Sequence, residues 1–589
     1  MKKIILSTVV SSVLMLGTVG CADDTKSATN HKEIQKVVTK VSFIDKKKAL
    51  QNRVKGYSKY GFDIKQINDN QYLLSIKDPA KSVELFLNIF NIGYSVDLED
   101  KQELQQAFKD ARFDVSVDWE KYISDAPKSV EVNYIGKGDE SKPFAKLLAE
   151  KKLGAYLTYK GNADLKKIEF KNLNETLSEN NESVALLLKD TVIDIKQLPN
   201  DKSSKRVYTI KSKEMNIGFS DEYNSTSTIA YKDLNCAINK SNAYLGKQEC
   251  KVPTIEMIID KSSKDEIKTT LNNLAFEYET TAKNNKANED VSFKIDSISV
   301  NKNFSINDIK ANINVANMDE NILKEYMQLI ENPSNDTQKD MAKLIKLAGL
   351  IYNGGAYMDY GISINNIQGN GEGIEFELKD YTESGKGKFD NNITYDDKAT
   401  IQYIKLSDAK NKANAFELRE FRFGYGIYEL FNFIPQAMDI LSVVSIEDNT
   451  TKVENIIQSQ GTQLAQKVLN QGFGIYIKPL GYDRVKFSDV SSNINYDLSK
   501  TDIQLDVKIL KNNLKADIDN PMLPMMLLGY LKADGKITIP LKDLQTLAKE
   551  PAFAMLGMLM LMAKIEGNNA VFVIEFKDGK LFVNGQPIM

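Results

Sequence analysis

The chain has almost none of the residues on which most enzyme chemistry depends. His31 is the single histidine among 589 residues. That excludes Ser-His-Asp and Cys-His arrangements, zinc sites built on histidine and histidine acid-base catalysis. No phosphate-cradling glycine loop followed by Lys-Ser or Lys-Thr occurs. The cluster Gly369, Gly371, Gly373 lacks the third spacing of a dinucleotide fingerprint and reads as a turn. Neither sign of charge is in excess: 77 Lys and Arg stand against 80 Asp and Glu, interspersed, for a formal net charge of -3. There is thus no electrostatic footprint for nucleic acid. No cofactor and no metal site are expected.

The first apolar run, Ile4 to Leu16, is too short for a hydrocarbon core about 30 Å thick, which needs roughly 20 residues. Preceded by Lys2 and Lys3 and followed by small residues, it reads as a cleaved secretory signal over residues 1–22. Leu16-Gly17-Thr18-Val19-Gly20-Cys21 resembles a bacterial lipoprotein box, departing from it at Thr18, where Leu is usual. The resemblance implies lipidation of Cys21 and attachment to a membrane face in the periplasm. The competing expectation is cleavage after Ala22, which releases a soluble periplasmic protein. Residues 23–36 are polar and small and suit a spacer.

With Cys21 lipidated, Cys236 and Cys250 remain as a pair in an oxidising compartment, where a disulfide persists. Two buried, inert thiols are the alternative. Four segments, Glu179 to Ser183, Glu222 to Thr226, Asp390 to Thr394 and Glu447 to Thr451, resemble the acceptor sequence of bacterial periplasmic oligosaccharyltransferases. The resemblance implies glycan acceptors at Asn181, Asn224, Asn392 and Asn449, each in a polar stretch that reads as a surface loop.

The body reads as α+β: large, antiparallel, curved sheets with interspersed helices. Its length calls for an N-terminal domain over 37–286 and a C-terminal domain over 287–589. Alternating apolar positions predict a hairpin over 62–77 and strands at 166–170, 192–195, 207–219 and 227–231. Helical periodicity is read at 83–90 and 266–286, the latter closing the first domain. In the second, Asp319 is placed as the N-cap of a helix to Glu331, and another helix is expected over 338–352. Hairpins follow at 362–378 and 387–406, with Gly369-Asn370-Gly371 and Ser384-Gly385-Lys386-Gly387 as turns. Strands are expected again at 493–498, 502–510, 571–576 and 581–583, with type I′ turns at Asp578-Gly579 and Asn584-Gly585.

The closing stretch from Phe576 to Pro587 resembles the final hairpin of the YdgA-like family of bacterial envelope proteins, as does the strand and Asn-x-Asp turn of Ile313 to Asp319. The resemblance implies a periplasmic, membrane-tethered protein of unknown function. It supplies no catalytic residues. Cys21 departs from the uncleaved anchor it would suggest.

Two local features invite chemistry. Ser407-Asp408-Ala409-Lys410 matches the Ser-x-x-Lys pattern of acyl-transfer enzymes but lacks their companion motifs, and it reads as a polar loop end. The Met-rich run over 553–563 offers Met555, Met558, Leu559 and Met562 as a groove for an acyl chain or partner helix, or as an ordinary core helix. The leading expectation is a non-catalytic envelope scaffold or interaction module that meets other envelope proteins. A carrier or sensor of lipid-like ligands is second, and a carboxylate-based hydrolase is third.

Overall fold

A computed structural model describes most residues from 154 to 588 and short segments between 61 and 134. Residues 1–60, 83–104, 135–153, 515–519 and 550–559 are among those outside it. Cys21, His31, the spacer, the helix expected at 83–90, Asn181, Asn224, Met555, Met558 and Leu559 therefore lie outside the described residues.

The chain divides into two compact units, Met1–Ala275 and Phe276–Met589. The first contains an antiparallel meander of β1 (Phe62–Asn68), β2 (Gln71–Ile76), β3 (Arg112–Ser116), β4 (Lys128–Tyr134), β5 (Gly154–Lys160), β6 (Asp164–Glu179), β7 (Glu182–Gln197), β8 (Arg206–Ser220), β9 (Thr226–Lys240) and β10 (Gly246–Ile259). Each strand pairs with the next. Strand β11 (Ile267–Lys283) contains the division between the units.

The second unit continues with β12 (Lys286–Val300) and β13 (Phe304–Asp319), then helices α1 (Glu320–Glu331) and α2 (Thr337–Ile351). Strands β14 (Ala356–Gly371), β15 (Ile374–Phe389), β16 (Asn392–Asp408) and β17 (Ala415–Phe431) follow as a meander. Helices α3 (Ile434–Val444), α4 (Thr450–Ile456) and α5 (Thr462–Gln471) lead to β18 (Phe473–Tyr482) and β19 (Arg484–Asp489). Both of these strands pair with β17, along different parts of its length. The rest is β20 (Ile494–Leu498), β21 (Thr501–Ile509), α6 (Leu523–Leu527), β22 (Leu531–Pro540), α7 (Leu541–Leu547) and the short strands β23 (Lys564–Glu566), β24 (Asn569–Lys577), β25 (Lys580–Val583) and β26 (Gln586–Pro587). The architecture is thus mostly antiparallel sheet, with helices between strands.

Long strands of the second unit share one backbone device. Near the middle of β13, β15 and β17, Asp308, Asp380 and Glu420 take φ of 52°, 49° and 52°. Every ladder from β13 to β17 skips the pair at that level, between Asn307 and Ile309, Lys379 and Tyr381, and Arg419 and Phe421. A left-handed residue turns the strand's alternation over by one, so the apolar positions step by three there instead of two. The steps are Ile306 to Ile309, Leu378 to Tyr381 and Leu418 to Phe421 across the left-handed residues, and Ile364 to Ile367 and Ile401 to Ile404 on the facing strands β14 and β16, which match them without a positive φ. The slip keeps one sheet face apolar along strands of 16 or 17 residues. Asp suits the position because a short polar side chain bonds locally and tolerates positive φ.

The first unit repeats the device at Asp190 (φ 47°) and Asp233 (φ 56°). Beside that line Ser212 Oγ donates to the carbonyl of Glu214 at 3.0 Å. Thr191 is therefore the donor in its 2.7 Å bond with Ser212. This buried pair gives the interrupted ladder polar partners.

Two expectations are corrected by this pattern. Residues 266–286 form strand β11 rather than a helix. Asn273 has φ 54°, and the step from Leu271 to Leu274 across it imitates helical spacing. Residues 384–387 lie inside β15 rather than in a turn, and their glycines answer to neighbouring strands, as shown below. Gly369 to Gly371, also read as a turn, are the last residues of β14, paired with β15, whereas the helix start and the closing turns are as read. Asp319 Oδ1 accepts from Asn321 N at 2.9 Å and Ile322 N at 3.3 Å at the start of α1. The closing turns have positive φ at Asp578, Gly579, Asn584 and Gly585.

The core of the second unit sits at one end of the sheet. Helices α1 and α2 join β13 to β14, and α3 to α5 join β17 to β18, at that same end. Packing between α2 and α3 is close: a Cβ on Gly349 would stand 2.5 Å from that of Met438. Ala287, Met318, Leu323, Leu347, Ile351, Ala356 and Ile393 are buried there. At the opposite end the connections from β12 to β17 are turns and one short loop at residues 409–414, and α7 follows β22 there, where Leu544, Ala570, Phe572 and Val583 form a second buried cluster.

Candidate functional site

Among the described residues of the second unit, the apolar face of β13 to β19 continues beyond helices α1 to α5 and carries exposed side chains. Exposure rises along it: Ala356 is 0 % and Val315 and Ile393 are 7 % exposed beneath the helices, whereas Ile313 is 45 % and Ile374 54 % exposed further out. Phe304, Leu406, Ile475 and Phe487 are likewise exposed. Two-residue alternation places all of these on the face that the slip preserves. Contiguous exposed apolar surface of this kind marks a binding surface, since soluble proteins seldom leave it bare.

One polar island interrupts it. The phenol of Tyr360 donates to the carboxylates of Asp397 and Glu383, the latter at 3.2 Å, and lies 3.0 Å from that of Tyr395. Tyr395 donates to Asp397 at 2.9 Å, and Tyr381 donates to Glu383. The Tyr425 ring flanks Tyr395, with centroids 5.8 Å apart. Burial first, then hydrogen bonding to Asp397, pushes the Tyr360 phenol far above the ordinary tyrosine range. Tyr381 is pushed up to about 12 by burial and by Glu383. These phenols are donors and stay protonated at neutral pH. The cluster thus places two carboxylates on an apolar face, each accepting from tyrosine phenols.

Glycines make the cluster geometrically accessible. Tyr360, Gly385, Asp397 and Tyr425 stand in register on four successive strands. A Cβ on Gly385 would fall 2.3 Å from Cε1 of Tyr360, so only glycine lets the ring cross β15. The same layout recurs where Arg422 passes Gly481 to reach Asp502 at 3.3 Å.

The residues singled out in the sequence fall elsewhere. Cys236 and Cys250 are directly opposed on β9 and β10, with sulfurs at disulfide-bonding distance and Cα atoms 4.0 Å apart. Met562 packs with Met560 against a core cluster of Leu544, Ala570, Phe572 and Val583, and its carbonyl accepts from Asn584 Nδ2 at 2.6 Å. Asn392 is exposed at the start of β16. Asn449 is exposed and caps α4, its Oδ1 accepting from Lys452 N at 3.1 Å. Ser407, next to last in β16, has a buried hydroxyl with no hydrogen-bond partner, so no base activates it, while Asp408 holds the amides of Lys410 and Asn411. Among the described residues no group of three His, Cys, Asp or Glu could hold a metal ion, and no helix is long and apolar enough to cross a membrane.

The apolar face was not foreseen as a site, although its signal was present. The signal is alternation with a three-residue step, at Asp308, Asp380 and Glu420 in β13, β15 and β17 and at the same level in β14 and β16.

Residues 159–350, less than half of the chain, match the family model described as "Bacterial protein of unknown function (DUF945)". The segment Ile313 to Asp319 lies inside the match and the closing hairpin outside it. No curated protein and no solved structure matches the chain.

Proposed function

We propose that this chain, similar over residues 159–350 to a bacterial family of unknown function, is an exported, envelope-tethered protein that holds the acyl chains of a lipid-like amphiphile and does no chemistry. The observation that carries this reading is the apolar face of β13 to β19, buried at Val315, Ala356 and Ile393 but exposed at Phe304, Ile313, Ile374, Leu406, Ile475 and Phe487. An acyl chain fits such a surface better than a folded partner does. The face spans neighbouring strands, and the carboxylates of the polar island that interrupts it are already engaged by tyrosines. The leader and the lipoprotein-like Cys21 support a location beside membranes, where such ligands are found. The placement with YdgA-like envelope proteins, suggested by the closing hairpin, is part of the same proposal.

The test is equilibrium binding of a fluorescent fatty-acid probe to the mature protein. Ile313→Glu and Ile475→Glu, both at exposed positions, are expected to weaken binding about tenfold or more while leaving the fold intact. Binding unchanged by both substitutions, or no uptake of the probe, contradicts the reading and returns the face to a protein partner.

A further inference from the structure

The polar island of the apolar face holds two carboxylates and no cation. Every lysine and arginine of β13 to β17 alternates onto the other face: Lys386 and Lys398 follow Gly385 and Asp397 in sequence, and Arg422 stands between Phe421 and Phe423. Those cations find carboxylates of their own, Lys398 reaching Asp396 at 3.5 Å and Arg422 reaching Asp483 at 2.9 Å. Asp397 and Glu383 have tyrosine phenols as hydrogen-bond partners instead. A neutral phenol satisfies a carboxylate oxygen without cancelling its charge. Because the Tyr360 phenol donates to both groups, two negative charges share one spot on an apolar surface. Charge complementarity calls for a cation from outside the chain.

The surface over these charges is aromatic. Tyr360, Tyr381, Tyr395 and Tyr425 are half-buried. Tyr425 neighbours both Tyr395 and Phe423, with ring centroids 5.8 and 5.6 Å away. An aromatic face attracts a cation within about 6 Å of its centroid, most strongly when the cation is desolvated. Asp397, 3 % exposed, adds its field through this layer without being touched. A primary ammonium would bring N–H donors and find Asp397 out of reach as an acceptor, whereas a quaternary ammonium carries the same charge with no donor to satisfy. Ile313, exposed and directly opposite Tyr360 on β13, offers apolar contact to a chain attached to that group. We propose that the amphiphile held on this face bears a quaternary ammonium head group, seated on the rings of Tyr360, Tyr381, Tyr395 and Tyr425 above Asp397 and Glu383, with its chain over Ile313. This rests on the acyl-chain reading and names the ligand class within it.

Calorimetric titration of the mature protein tests it, with an alkyltrimethylammonium, the primary alkylammonium, the alcohol and the carboxylate of one chain length, each below its critical micelle concentration. The alkyltrimethylammonium is expected to bind about tenfold or more tighter than the alcohol, and the carboxylate weakest of all. In Asp397→Asn and in Glu383→Gln the ratio of alkyltrimethylammonium to alcohol affinity is expected to fall towards one. Glu383 is half-buried, so Glu383→Gln keeps the test open should the Asp397 variant misfold. Equal affinity for the alkyltrimethylammonium and the alcohol, equal affinity for the primary alkylammonium, or a preference unchanged in the folded variants overturns the head-group assignment and leaves the acyl-chain reading standing. Binding of none of these probes overturns both.

Discussion

Tyr360 and Asp397 are joined by a hydrogen bond that spans an entire intervening strand, the phenol lying over Gly385 to reach a carboxylate two strands away. Asp397 is 3 % exposed, so its carboxylate oxygens depend on the tyrosine phenols for hydrogen bonds that water cannot supply. Removing one donor in Tyr360→Phe is expected to cost about 1–3 kcal/mol. Gly385→Ala, which displaces the same ring, should cost a similar amount. Because both act through one bond, the double variant should lose less than the sum of the two, and denaturant melts of the three proteins check this.

The pH dependence follows from the same cluster. The folded value for Tyr381, about 12, stands above the ordinary tyrosine value of about 10. The native state therefore holds the proton more tightly than the unfolded chain. This stabilisation is complete below about pH 10 and is lost as pH rises through about 12. Tyr360 and Tyr395 are displaced in the same direction, each through burial first. Absorbance at the phenolate band should show a late group of tyrosines that ionise together with loss of near-ultraviolet dichroism. Unfolding well below pH 10 would not fit.

Asp380 sets the middle of the slip line. A β-branched residue strongly disfavours positive φ, so Asp380→Val should destabilise by about 1–3 kcal/mol, whereas Asp380→Gly should be close to neutral. Thermal melts of the pair distinguish backbone conformation from lost side-chain contacts.

Reducing the Cys236–Cys250 link, or replacing both residues with Ala, should lower stability by about 3 kcal/mol for a link with a sequence separation of 14. Melting with and without a reductant measures it, and an unchanged Tm would show that the thiols are free.

Much of the local architecture could be read from the sequence, because turns and caps are local physics. Asp578-Gly579 and Asn584-Gly585 need positive φ and have it, and Asp319 starts its helix as its side chain requires. What escaped was set by neighbours. Leu271 and Leu274 look helical only until Asn273 is seen to turn the strand over. Gly385 looks like a turn because the ring that demands it comes from Tyr360, on another strand. The apolar face was hidden for the same reason: alternation shows that a side is apolar, but only the placement of the helices shows that most of it stays uncovered.

The most direct test of the account is native mass spectrometry, with lipid extraction, of the mature protein purified from the producing cells without detergent. A co-purifying amphiphile, diminished in Ile313→Glu and Ile475→Glu, is the predicted result. Protein of bare polypeptide mass, with no extractable lipid and no uptake of added fatty acid, would contradict it.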